Sequence, residues 1–78
     1  MEQALIAARK KAQEFFALSS RYGGVVIVYE GVVCGWVDQL RDPSHWTPGS
    51  IAIDQQGNCW EAQGGTDSDG AERWQPLA

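Results

Sequence analysis

Hydrophobic positions along the chain change period three times, and each change marks an element. Between residues 2 and 20, Leu5, Ala8, Ala12, Phe15 and Phe16 fall in one stripe on a helical wheel. Gln3, Lys10 and Glu14 lie opposite that stripe, with Ile6 and Leu18 on its two borders. Alanine dominates the segment and favours helix locally. Gly23 and Gly24 end the helix and release the chain into a strand. The small apolar face, two of whose residues are alanine, suits packing on a sheet better than lying on a membrane.

Two β-branched and aromatic runs follow, Val25 to Tyr29 and Val32 to Val37, on either side of Glu30-Gly31. A two-residue turn there pairs Tyr29 with Val32, Ile27 with Cys34 and Val25 with Trp36. The other face then holds Val26, Val28, Val33 and Val37. With both faces apolar, this hairpin is expected at the centre of a sheet, covered by the helix on one side and by the long loop or a partner on the other. Gly35, placed opposite Val26, leaves room for an aromatic ring. A second hairpin, 50–54 and 59–63, turns at Gln55-Gln56-Gly57-Asn58. It is expected to pair Ile53 with Trp60 and Ile51 with Ala62 inward, leaving Ala52, Asp54, Cys59 and Glu61 outward. Residues 71–75 read as a final edge strand with Trp74 inward. The acidic, glycine-rich turn 64–70 precedes it.

A helix followed by strands without alternation predicts an α+β fold. One N-terminal helix packs on a four- to five-stranded antiparallel sheet whose order stays close to sequence order. The chain of 78 residues is expected to form one domain. Its 44% hydrophobic and 21% charged content is that of a globular protein rather than a disordered tail. Four tryptophans can supply much of so small a core.

The segment without a period is 39–49, Gln-Leu-Arg-Asp-Pro-Ser-His-Trp-Thr-Pro-Gly. A long ordered loop in a small domain is more often functional than decorative. Trp46 either folds back as a lid on the core, with Pro43 and Pro48 stiffening its path, or is offered to a partner beside Arg41. Arginine and tryptophan are among the residues most enriched at binding hot spots.

Charge narrows the partner. Residues 1–29 carry Arg9, Lys10, Lys11 and Arg21 against Glu2 and Glu14, a balance of +2. Residues 30–78 carry Arg41 and Arg73 against eight acids, a balance of −6 within a net −4. The acidic part repels phosphates, so no specific nucleic-acid binding is expected. It suits a basic protein surface, or serves solubility alone.

Catalytic and metal chemistry find little footing. Cys34, Cys59 and His45 lack zinc-site spacing. Asp67-Ser68-Asp69-Gly70 lacks the third acidic position and the closing glutamate of a calcium loop. Gly64-Gly65 has no phosphate-loop context. His45 adjoins Ser44 in sequence, but no acidic orienter is signalled. Asp42 and His45 read more naturally as a loop-internal hydrogen bond or cap. No enzyme activity, metal or cofactor is expected. Arg9, Lys10 and Lys11 occupy the place of a signal-peptide apolar region, and no apolar run is long enough to span a bilayer. A cytoplasmic location and two free thiols are therefore expected.

A wider set of residues carries a resemblance. It begins with Gly35-Trp36 and Leu40-Arg41-Asp42-Pro43 with His45. It continues through Pro48-Gly49-Ser50-Ile51-Ala52-Ile53-Asp54 and Gly57, and ends with Gly64-Gly65, Asp67 and Gly70-Ala71. Over roughly residues 24–74 the chain resembles small plasmid and integrative-element proteins labelled antirestriction. That family has no catalytic motif to carry over. The resemblance implies an accessory protein of a mobile genetic element that interferes with, or regulates around, host defence, the broad class that also holds anti-CRISPR proteins. A net charge of −4 is weak for a full mimic of DNA.

The leading expectation is a non-enzymatic protein-binding protein of this kind, whose partner is a host defence protein. Its partner-binding residues are Arg41, Asp42, His45, Trp46, Asp67 and Asp69. The second reading is a small-ligand or peptide-binding module with its pocket between the loop and a Trp36/Trp60/Trp74 cluster. The third is a homodimer or larger homo-oligomer joined through an open sheet edge or face.

Overall fold

The computed structural model describes the backbone of residues 2–18 and 23–77, and the side chains of 5–18 and 23–77. Helix α1 covers Glu2–Leu18. The expected last turn through Ser20, and Arg21 of the basic segment, lie outside the described residues. Strands β1 (Val25–Tyr29), β2 (Val32–Val37), β3 (Ile51–Asp54), β4 (Cys59–Gln63) and β5 (Arg73–Leu77) form one antiparallel sheet in the order β2-β1-β3-β4-β5. This is the expected α+β architecture, one helix on a five-stranded sheet.

The helical stripe packs as its period dictates. Ala8 and Ala12 are buried, and Leu5, Phe15 and Phe16 flank them against Val26, Val28 and Ile53. Two alanines at the centre let the helix backbone approach the sheet closely. The borders of the stripe, Ile6 and Leu18, stay exposed. Phe15 and Phe16 meet edge to face, with ring centroids 5.9 Å apart.

The first hairpin departs from the simple register. Tyr29 pairs with Val32 as expected, but a bulge at Cys34 advances the rest by one residue. Ile27 therefore faces Gly35, Val26 faces Trp36, and Val25 faces Val37. A one-residue slip exchanges the faces of everything beyond it. Trp36 joins the helix side and Val37 the opposite side. The Trp36 ring closes on Gly24, and its indole N–H donates to the Gly23 carbonyl at 3.2 Å. The hairpin is not central as a unit: β1 is interior and β2 is an edge.

The second hairpin also differs by one residue. Ile53 pairs with Cys59, Ala52 with Trp60 and Ile51 with Glu61. The cause is Asp54. Its backbone N–H donates to the Asn58 carbonyl at 3.0 Å, which closes a loop of three residues rather than four. Its carboxylate accepts the backbone N–H groups of Gln56 (3.0 Å) and Asn58 (2.8 Å). Gly57, at φ 90°, supplies the left-handed residue such a loop needs. Cys59, expected outside, consequently turns to the helix side beside Ile53, while Ala52 keeps the face opposite Ile53 and is buried because that face is covered too. The last strand begins two residues later than expected, at Arg73.

The register settles the two thiols. They are free, with Cys59 buried and Cys34 exposed, the reverse of the expected placement. The Cys59 thiol donates to the Gly57 carbonyl at 3.2 Å and accepts the Arg9 Nε–H at 3.3 Å. A thiol reagent should add one label to the native protein, at Cys34, and a second only after denaturation. Peptide mapping of the labelled protein checks both the number and the site; rapid native labelling of Cys59 would contradict the packing.

Candidate functional site

The sheet face opposite the helix is covered by the chain itself. Val25, Ile27 and Ala52 form a second apolar layer there, and Val37, Leu40, Trp46, Trp60 and Trp74 pack onto it. The expected Trp36/Trp60/Trp74 cluster does not form, because the bulge sends Trp36 to the other face. Trp46 takes its place. The missing side chain of Gly35 is what admits it: a Cβ there would lie 3.1 Å from Trp46 Cη2. Sequence reasoning foresaw the ring on Gly35 but not which ring it would be.

The loop from Asp38 to Ser50 is tied down along its length. The Asp42 carbonyl accepts the His45 N–H at 3.3 Å and the Pro43 carbonyl accepts the Trp46 N–H at 2.9 Å, making a single 3-10 turn over Pro43–His45. Proline at its start presets that conformation. The Asp42 side chain makes no capping bond, so its relation to His45 runs through the backbone. Ser50 is buried, and both its N–H (3.0 Å) and its hydroxyl (2.7 Å) donate to the Thr47 carbonyl. Gly49 N–H donates to the Ala62 carbonyl at 2.8 Å, and Ala71 N–H to the Trp46 carbonyl at 3.0 Å. Trp74 Nε1–H donates to the Arg41 carbonyl at 2.6 Å. The loop thus gains partners from β4, β5 and the segment between them.

These bonds fix which side chains face outward. Arg41 and Asp38 form an ion pair at 3.1 Å with both side chains more than 60% exposed. So exposed a pair adds little to stability, at most about 1 kcal/mol. Asp42 and His45 are exposed as well. Trp46 is half-buried: it rests on the core and also borders an open groove of about 680 Å³. Trp36, Val37, Asp38, Arg41, Asp42 and His45 complete the groove wall. Four of the six candidate residues, Arg41, Asp42, His45 and Trp46, therefore share one surface.

Asp67 and Asp69 do not join that groove. They sit exposed on the turn that closes with a bridge between Thr66 and Gly70. The Asp69 N–H donates to Thr66 Oγ1 at 3.0 Å, and the Thr66 hydroxyl donates to the Asp69 carboxylate at 3.3 Å. The turn meets the loop where Gly70 packs on the Ser44 backbone. Asp38 and Val37 were missed by sequence reasoning, which placed Trp36 beside the pocket only in its second reading. The glycine beside a possible bulge at Cys34 was the signal that would have placed them.

Among the described residues, no group of three or more His, Cys, Asp or Glu side chains is positioned to hold a metal ion. Nor is any helix among them long and apolar enough to cross a membrane. No family model, no curated protein and no solved structure matches this chain.

Proposed function

We propose that the chain is a non-enzymatic protein-binding accessory protein of a mobile genetic element, acting in the cytoplasm against host defence in the manner of antirestriction or anti-CRISPR proteins. The observation that carries the protein-binding reading is the fixed display of Arg41, Asp42 and His45 on a loop whose own tryptophan is packed into the core. A surface already ordered before binding loses little conformational entropy on docking. Arginine and tryptophan are also both among the residue types most enriched at interface hot spots. The defence context comes from the resemblance of residues 24–74 to antirestriction proteins.

The test is the plating of unmodified phage on a restricting host that expresses the chain. Plating efficiency should rise with the wild type and return to the control level with Arg41→Ala/His45→Ala. The same variant should keep the wild-type thermal midpoint. A wild type that leaves plating unchanged removes the defence reading. A folded double variant that remains fully active removes the loop as the binding surface.

The groove supports a second reading, a small ligand or peptide. Its volume of about 680 Å³ falls within the usual span of ligand sites, roughly 300–1,000 Å³. Fragment screening by ligand-observed NMR separates this reading from the first, since a ligand site would return hits whose shifts map to Trp36 and Trp46.

A further inference from the structure

We propose that the cleft between α1 and the β3–β4 turn is a binding site for a small monocarboxylate that carries an aryl or short branched alkyl group. The cleft shares no residue with the groove beside Trp46, so this inference stands or falls apart from the protein-binding reading.

The helix supplies one wall. Arg9, Ala12, Gln13 and Phe16 follow one another at intervals of three, one and three, and so line one edge of α1. Ile53 and the turn from Asp54 to Gly57 supply the other wall. The space between them is about 240 Å³. A cavity of roughly 150 Å³ takes a benzene ring, whereas drug-sized ligands occupy roughly 300 Å³ or more. A ring or branched chain with a single carboxylate therefore matches the cleft in size.

Hydrogen bonding leaves the cleft with donors in excess. The Arg9 Nε–H donates to the buried Cys59 thiol at 3.3 Å, which holds the guanidinium half-buried at the cleft. Its two Nη groups bond to no described residue. A charge withdrawn from water is ordinarily paired. Asp54 is the only acid among the described residues that line the cleft, and it forms no ion pair with Arg9. Its carboxylate is turned into its own loop, where Oδ1 accepts the backbone N–H groups of Gln56 and Asn58 and Oδ2 accepts the Asn58 side-chain amide at 3.0 Å. Gln55 spends its side-chain oxygen on the Gly23 N–H at 2.8 Å and has only its amide N–H groups left to offer.

These groups select the ligand. The free end of a guanidinium fork fits the two oxygens of one carboxylate. Asp54 keeps its negative charge on the wall, which penalises a dianion such as phosphate more than a monoanion. Ala12 and Ile53, both buried, and the half-buried Phe16 offer apolar contact to the ring or chain.

The experiment titrates the isotope-labelled full chain with benzoate, benzamide and inorganic phosphate and follows the shifts by NMR. Benzoate should saturably shift the Arg9 Nε–H and the amides of Gln13, Gln55 and Gln56. It should bind about tenfold more tightly than benzamide, as a charged acceptor does against a neutral one, and more tightly than phosphate. Arg9→Lys keeps the charge but loses the fork, and should remove most of the preference over benzamide. Gln13→Glu, at an exposed helical position, sets a second anion on the cleft and should weaken benzoate without moving the thermal midpoint. Because Arg9 also supports Cys59, Gln13→Glu decides the matter alone if Arg9→Lys does not fold. No saturable shift, equal binding of benzoate and benzamide, phosphate bound as tightly as benzoate, shifts centred on Trp46 instead, or benzoate binding unchanged by Gln13→Glu overturns the inference.

Discussion

Replacing Gly70 with alanine should destabilise the protein by about 3 kcal/mol or more. Two costs combine there. Gly70 sits at φ 82°, where an L side chain costs about 1–2 kcal/mol. Its Cβ would also run into the backbone of Ser44, carbonyl oxygen included, which cannot rotate aside as a side-chain tip would. Forcing atoms into a packed region typically costs a further ~1–3 kcal/mol. For a domain of this size, 1 kcal/mol moves the melting temperature by roughly 4–8 °C, so the expected fall is easily measured by circular dichroism. Gly31→Ala is the comparison. It too has positive φ, at 79°, but nothing lies within 4 Å of the added carbon. Its loss should be limited to the conformational cost. Equal melting temperatures for the two variants would show that the turn does not dock against the loop as described.

Trp46→Ala is expected to cost about 3 kcal/mol, the lower part of the range for truncating a core aromatic, because the ring is half-buried rather than enclosed. The loss exposes Ile27 and Ala52 and removes what fills the space over Gly35. Arg41→Ala is the contrast. It deletes an exposed ion pair and keeps the backbone carbonyl that holds the Trp74 indole, so stability should change by less than about 0.5 kcal/mol. Chemical denaturation of the two variants checks the division of labour. An Arg41→Ala variant that unfolds as readily as Trp46→Ala would mean that the loop is held by charge rather than by its tryptophan.

Several of these features were readable in the sequence, and the pattern of what was not has a physical cause. Leu5, Ala8, Ala12, Phe15 and Phe16 repeat along one helical face, and that period left little freedom in how α1 packs. The strands were legible because Val25 to Tyr29 and Val32 to Val37 are dense in β-branched residues. Their register was not. A strand alternates every residue, so the bulge at Cys34 and the three-residue loop closed by Asp54 each exchanged the two faces. Trp36, Cys34 and Cys59 were placed on the wrong side for that reason, whereas Ala52 lies on its expected face and is buried because the loop covers it. Pro76 disguised the end of β5, since proline argues against strand everywhere except at an edge. At the candidate site, Arg41, Asp42, His45 and Trp46 were grouped by proximity along the chain and are grouped in space too. Asp67 and Asp69 were added for their charge, and charge says nothing about which surface a turn will face.

The position of β1 between β2 and β3 bears on how the chain emerges from the ribosome. The helix and first hairpin are synthesised before any residue of β3 exists. Until β3 has joined it, β1, with Val26, Ile27 and Val28 all destined for full burial, has one paired edge and one open edge. Its far face also lacks Trp46. A nascent strand apolar on both faces and unpaired on one side is a template for association with other chains. The hazard ends only when Ile51–Asp54 has paired with β1.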